Sequence, residues 1–283
     1  MRPHQWVKNV FVLFPLVFAR ELFTDQAATL RAFGGFVVFS LVASSVYILN
    51  DLVDVKEDRE HPTKRERPIA SGKVTEAQAR GAMIALVAAA VTGALLLGLP
   101  FLATTLGYLV LNLTYSFGLK RVAYVDVLCI AGGFELRVLS GAFAADVPAS
   151  TYLLVVTFLL ASFLGFGKRA HELAQQEGGT ATRSALRAYR PGVVAALLLF
   201  TGVSTVFVYA IYTLDPHTIE AFGTSYLVYT TAFLLIGVLR FVMLVRSKTG
   251  HDSPTEMMLR DPAFVANGVV GALAILGVIY LGH

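Results

Sequence analysis

The chain has 283 residues, 56% of them hydrophobic and only 15% charged, with a mean hydropathy of +0.67. A soluble domain carries about 25% charged residues, so composition excludes an ordinary soluble core, a disordered chain and a collagen-like repeat, and the lone Cys129 excludes an internal disulfide framework. The formal charge of +4 would suit a nucleic-acid partner, but the charges lie between long apolar runs. No nucleic acid is expected; the composition predicts an all-α polytopic membrane protein embedded in a bilayer.

A helix needs roughly 20 mostly apolar residues to cross the hydrocarbon core. In chain order, spans are expected near 8–23, 27–50, 77–97, 100–117, 122–143, 150–167, 191–213, 225–245 and 261–281, nine in all. The first is the weakest, because Pro15 interrupts it and Arg20 and Glu21 follow. No stretch at the start resembles a cleaved signal peptide. With the N-terminus inside, segments 1–8, 53–74, 118–121, 168–190 and 246–260 hold 2, 6, 2, 5 and 3 Lys and Arg, 18 of the 23 in the chain. This bias predicts a cytoplasmic N-terminus, an outer C-terminus and chemistry at the cytoplasmic mouth of one helical domain, 1–283.

The second expected span runs out into Asn50-Asp-Leu-Val-Asp-Val-Lys-Glu-Asp58. Asn50, Asp54 and Asp58 are four apart, and Asp51, Asp54 and Asp58 three and four apart, so either set lies on one face if the helix continues. Clustered carboxylates repel at low dielectric and call for a cation. Oxygen ligands without His or Cys suit Mg²⁺, which shares its shell with substrate phosphates. The plain alternative is a solvated helix end. Next come Lys64, Arg65 and Arg67, between Pro62 and Pro68. They read either as positive-inside residues against anionic lipid or as a clamp on phosphoryl oxygens.

At these residues the sequence resembles the UbiA superfamily of intramembrane prenyltransferases. Asn50-Asp51-x-x-Asp54-x-x-x-Asp58 matches that family's first Asp-rich motif, and Arg67-Pro-Ile-x-Ser-Gly72 matches its tail. The resemblance implies a nine-helix all-α bundle whose central cavity, open at the cytoplasmic face, binds a Mg²⁺-complexed diphosphate and takes a lipid chain through a lateral opening. Where typical members carry a second Asp-rich stretch, this chain reads Gly167-Lys168-Arg169-Ala-His-Glu172. With the opening Arg2-Pro-His-Gln-Trp-Val-Lys8-Asn9, this is similar to the branch containing the decaprenyl-phosphate phosphoribosyltransferases. That branch implies transfer of 5-phosphoribose from 5-phosphoribosyl 1-diphosphate (PRPP) to a polyprenyl phosphate, releasing pyrophosphate, for cell-wall arabinan precursors. It also implies catalytic roles for Asp51, Asp54 and Asp58. The sequence leaves room for a homo-oligomer.

Three phosphate groups in one reaction need many cations, and Lys8, Lys64, Arg65, Arg67, Lys120, Lys168, Arg169, Arg183 and Arg187 are available on the inner side. Topology alone accounts for most of them. Tyr115 and Lys120 resemble a family Tyr/Lys signature, with an interfacial anchor as the plain reading of Tyr115. Asp126, Glu135 and Arg137 fall within one apolar span and should face protein or water. A buried ion-pair network is the expectation for Glu135, and a substrate-phosphate contact or the same network for Arg137. Glu172 either joins Asn50, Asp54 and Asp58 around the metal or pairs with Lys168. Asp252, Glu256 and Asp261 bind ribose hydroxyls, or Asp261 caps the last helix. Gly132, Gly133 and Gly141 are expected to permit close helix packing. The rival readings are an aromatic prenyltransferase using a prenyl diphosphate and, more distantly, a secondary transporter, which would call for matched halves with broken helices.

Overall fold

A computed structural model describes residues 3–60, 64–176, 186, 188–247 and 254–282. Among them the chain is helical, with no strand. After a 3-10 segment, Pro3–Leu13, the α-helices are α1 (Phe14–Phe18), α2 (Gln26–Val53), α3 (Val55–Glu60), α4 (Glu76–Leu97), α5 (Leu99–Phe117), α6 (Val125–Ala145), α7 (Thr151–Gln176), α8 (Pro191–Leu214), α9 (Pro216–Phe222), α10 (Thr231–Arg246), α11 (Pro254–Arg260) and α12 (Pro262–Leu281).

Seven stretches are long and apolar enough to cross a membrane: Gln26–Val53, Glu76–Leu97, Val125–Ala145, Thr151–Gln175, Pro191–Leu214, Tyr226–Arg246 and Pro262–Leu281. Seven of the nine expected spans are thus met among the described residues. The first predicted span becomes a short apolar segment, Trp6–Phe18, that ends before Arg20. The fourth forms as α5, but Thr104, Thr105, Asn112, Thr114 and Ser116 dilute its hydropathy. These hydroxyls are met locally: Thr105 donates to the Phe101 carbonyl at 2.9 Å and Thr114 to the Leu111 carbonyl at 2.9 Å. Such back-bonding lets a polar side chain sit inside an apolar helix without an orphaned donor.

Helix starts follow their capping residues. Asp25 accepts from the Ala28 amide to begin α2, and Thr75 with Gln78 closes a reciprocal capping box on α4. Asp261 caps α12 by accepting from Phe264, with Pro262 at the first helical position. The same carboxylate takes Arg240 at 2.7 Å, so capping and an ion pair account for Asp261.

The contacts divide the chain into two compact units. Residues 1–119 and 133–149 form one, and 120–132 with 150–283 form the other, so α6 contributes to both. The first is built on Val38, Phe39, Val42, Phe101, Tyr108 and Ala144. The second is built on Val127, Phe163, Phe166, Leu198, Val238 and Phe241. Many large apolar side chains point outward instead, Leu96 at 85% exposure and Val203 at 68% among them. In water this would be an aggregation hazard; in a bilayer it is the expected outer surface.

In the first unit a Cβ on Gly141 would lie 1.8 Å from the Val12 carbonyl oxygen, so the N-terminal segment rests directly on α6. Gly133 has ordinary room by comparison, its nearest neighbour 3.6 Å away. Close packing was expected of both and holds for Gly141. Gly141→Ala is therefore expected to lose most folded protein or several degrees of thermal midpoint in detergent, because backbone cannot yield as a side chain can. Gly81→Ala, with nothing within 4 Å, should leave the midpoint within about a degree or raise it.

Candidate functional site

The acidic end of α2 keeps its helical register beyond the helix itself. Asp54 is the C-cap, yet its amide donates to Asn50 at 2.9 Å, and the Asp58 amide donates to the Asp54 carbonyl at 2.8 Å. Asn50, Asp54 and Asp58 thus succeed one another by single backbone bonds across the α2–α3 junction. Arg67 reaches back from the following turn. Its Nη1 lies 2.6 Å from Asp58 and 3.2 Å from Asp51. Asp58 is 2% exposed, and an unpaired carboxylate at that burial would cost several kcal/mol. The Asn50 side-chain oxygen accepts from Ser116 at 2.5 Å, tying α2 to the end of α5. Sequence reading missed Ser116, since an isolated serine in an apolar helix carries no signal. Lys64 and Arg65 stand exposed on a single 3-10 turn, Lys64–Glu66, beside this cluster in sequence. Tyr115 and Lys120 are half-buried around the end of α5.

The oxygen-only donor set suits a hard divalent ion, although among the described residues no three His, Cys, Asp or Glu side chains already close on a metal position. Mg²⁺ does not require such a cage, because it is usually held by one or two carboxylates plus waters and substrate phosphates. Asp51 and Asp58 already converge on one cationic group, the Arg67 guanidinium. Asp58, one of the three expected ligands, is among them, so the donors present are of the type such an ion takes.

Deeper in the first unit, Arg137 is 5% exposed and all three of its nitrogens are engaged. Nε donates to Asn9 at 2.9 Å, Nη1 to the Gly133 carbonyl at 2.7 Å and Nη2 to the Tyr108 hydroxyl at 2.9 Å. Its guanidinium lies 4.7 Å from the Tyr108 ring centre and 5.4 Å from that of Phe134. Asn9 in turn donates to Ser40 at 3.0 Å. Arg137 and Asn9, expected at a substrate phosphate, are here bound to one another and to α2 and α5. The ion-pair network expected for Glu135 is not found: its Oε1 is buried with no hydrogen-bond partner among the described residues. Lys8, one residue before Asn9, is half-buried.

In the second unit the C-terminal part of α7 carries Lys168, Arg169 and Glu172. Gly165 brings α7 onto α6, where a Cβ would meet Val127 at 2.7 Å. Arg169 is wholly buried between two carboxylates. Its Nη1 bonds Glu172, and its Nε lies 3.4 Å from Asp126. Asp126, also wholly buried, accepts from the Val127 amide at 2.9 Å and from the Tyr189 hydroxyl. Tyr189 accepts in turn from the Tyr124 amide at 2.9 Å, and the two rings lie 4.6 Å apart. Tyr124 has φ +68°, a left-handed conformation that costs a bulky residue on the order of 1 kcal/mol or more. Burial and the bond to Asp126 push the Tyr189 hydroxyl far above its ordinary pKa, so it stays a donor at every physiological pH. Lys168 is half-buried beside Arg169. The partner of Glu172 is thus Arg169, three residues before it, and not the expected Lys168. Arg183, Arg187, Asp252 and the side chain of Glu256 lie outside the described residues.

Residues 10–268 match the model of the UbiA prenyltransferase family. The decaprenyl-phosphate phosphoribosyltransferase of Corynebacterium glutamicum is 34% identical, over 99% of this chain and 86% of that protein. Its Mycobacterium tuberculosis counterpart is 33% identical over 92% of this chain and 86% of its own. Among solved structures, a UbiA homolog from Archaeoglobus fulgidus bound to GPP and Mg²⁺ superposes with a TM-score of 0.72 at 19% identity, covering 98% of this chain and 97% of that one.

The Arg137 cluster is open to a stability test. Arg137→Leu removes the cation over three rings and strands the oxygens of Asn9, Gly133 and Tyr108. Loss of about 2–4 kcal/mol is expected, read as a lowered thermal midpoint in detergent. An unchanged midpoint would show that the cluster carries no weight.

Proposed function

The chain belongs to the UbiA prenyltransferase family, an integral membrane transferase by its apolar helices, and from that premise we propose that it moves 5-phosphoribose from PRPP to a polyprenyl phosphate. The observation that carries this reading is the match, along nearly the whole chain, to decaprenyl-phosphate phosphoribosyltransferases of two organisms. The cationic pair Lys168-Arg169 stands where an aromatic prenyltransferase would be expected to carry carboxylates. Lys168 adds to the same direction, because this reaction gathers a diphosphate, a 5-phosphate and a lipid phosphate, whereas Arg169 is already answered by Asp126 and Glu172.

Asn50, Asp54 and Asp58 would hold Mg²⁺, which when bound would supply the charge that makes pyrophosphate a better leaving group. Arg67 keeps Asp51 and Asp58 oriented and lowers their mutual repulsion. Lys64 and Arg65, exposed on the adjacent turn, take phosphoryl oxygens as charge-assisted donors. Lys8, Tyr115, Lys120 and Lys168, all half-buried on inner connections or helix ends, serve as further phosphate and sugar contacts. Glu172, with one oxygen held by Arg169, offers the other to the donor.

The chemical step is a displacement at ribose C1. An oxygen of the lipid phosphate forms the new C1–O bond as the bond from C1 to the diphosphate oxygen breaks, and pyrophosphate leaves with that electron pair. The nucleophile is already an anion, so no general base is needed. Positioning and electrostatic stabilisation do the work. The Lys and Arg distribution supports a cytoplasmic site, where PRPP is water-borne and the lipid tail never leaves the bilayer.

Purified protein with Mg²⁺ is expected to convert radiolabelled PRPP and polyprenyl phosphate into a butanol-extractable product. Consumption of prenyl diphosphate and an aromatic acid instead would move the chain to another branch of the family. Asp54→Asn and Asp58→Asn should each lower turnover by about 10²-fold or more while the protein still elutes as folded. Near-normal activity in both would remove the metal-site reading.

A further inference from the structure

Beyond the donor contacts lies a buried chain of charged and polar groups for which the reaction itself has no direct use. Asp126 and Arg169 are both wholly buried. An ion pair withdrawn from solvent gains little over an apolar pair of the same volume, so stability alone is a poor reason for it. The pair is also incompletely satisfied: Asp126 Oδ2 and Arg169 Nε and Nη2 have no hydrogen-bond partner among the described residues. What it does possess is direction. Tyr189 donates to Asp126, Asp126 faces Arg169 Nε, and Arg169 Nη1 bonds Glu172. Exposure rises along that line, from the wholly buried Arg169 and Asp126 to a Glu172 side chain that is 23% exposed.

We infer that Tyr189, Asp126 and Arg169 form a buried relay that fixes the Glu172 carboxylate, making Asp126 and Tyr189 positioning residues of the donor site. The inference rests on the reading of Glu172 as a donor contact. A carboxylate on a flexible stem samples several rotamers, and ordering it beforehand removes that cost from binding. Arg169 supplies the planar grip, Asp126 sets the plane of the guanidinium, and Tyr189 with the Val127 amide sets the Asp126 carboxylate. Tyr189 also fastens the left-handed Tyr124 immediately before α6, so one hydroxyl ties the segment before α8 to the start of α6, and Asp126 carries the link on to Arg169 of α7.

The test is a double-mutant cycle on the purified full-length protein, read as separate KM values for PRPP and polyprenyl phosphate and as PRPP binding without lipid. Asp126→Asn keeps the shape and removes the charge; it is expected to raise the PRPP KM and Kd about tenfold, with the lipid KM within twofold. Tyr189→Phe keeps the ring and should raise them about threefold, providing the measurement if Asp126→Asn does not fold. In a Glu172→Gln background both effects should shrink to under twofold, since the group being positioned is gone. A merely structural role would lower the thermal midpoint and the folded yield, and leave the PRPP KM of the folded fraction unchanged in either background. An unchanged PRPP KM, or a loss that persists undiminished beside Glu172→Gln, overturns the relay while leaving the functional reading intact. Wild-type protein that neither binds nor consumes PRPP overturns the functional reading itself, and the relay's donor-site role falls with it.

Discussion

Charge brought into an apolar bundle has to be answered inside the protein, because lipid tails offer nothing to an ion. Arg67 answers Asp51 and Asp58 at the end of α2. Arg169 answers Asp126 and Glu172 at the end of α7. Arg137 is answered by the uncharged oxygens of Asn9, Gly133 and Tyr108 together with the faces of aromatic rings. The Arg169 and Arg137 arrangements join elements distant in sequence and Arg67 ties the following turn back to α2 and α3, so these polar groups also fix the helices that carry them.

The parts of this architecture legible in the sequence are those written as local patterns. Apolar runs marked the long helices, and four-residue spacing marked the Asn50, Asp54 and Asp58 succession, which the backbone bonds across the α2–α3 junction preserve. Seven of the nine expected spans are met among the described residues, because a window of apolar letters does not show that Trp6–Phe18 stops at thirteen residues. Nor does it weigh the hydroxyls and amide of α5 against its leucines. Partnerships across the sequence were the least legible. Arg67 and Arg169 look alike as basic letters near phosphate-binding positions, yet one is partly exposed and the other wholly buried. Tyr189 and Ser116 lie 63 and 66 residues from the side chains they bond, and no local pattern announces either.

Placing a water-borne sugar phosphate and a lipid on one enzyme creates a sorting problem. The outward faces of α4, α8 and α12 are almost entirely apolar, and the polar sequence is confined to a few helix ends and connections. An anionic donor is therefore repelled by most of the molecule and met by cations at few places. Specificity for the lipid can come from its phosphate alone, leaving the hydrocarbon tail to the bilayer.

The three cations just named are all arginines, and that choice has a consequence. A lysine at any of these positions would present a single ammonium to partners lying in different directions, and once buried it would readily surrender its proton. A guanidinium keeps its charge throughout the pH range a cell experiences. Exchange of any of the three for lysine would therefore leave partners in at least one direction unanswered.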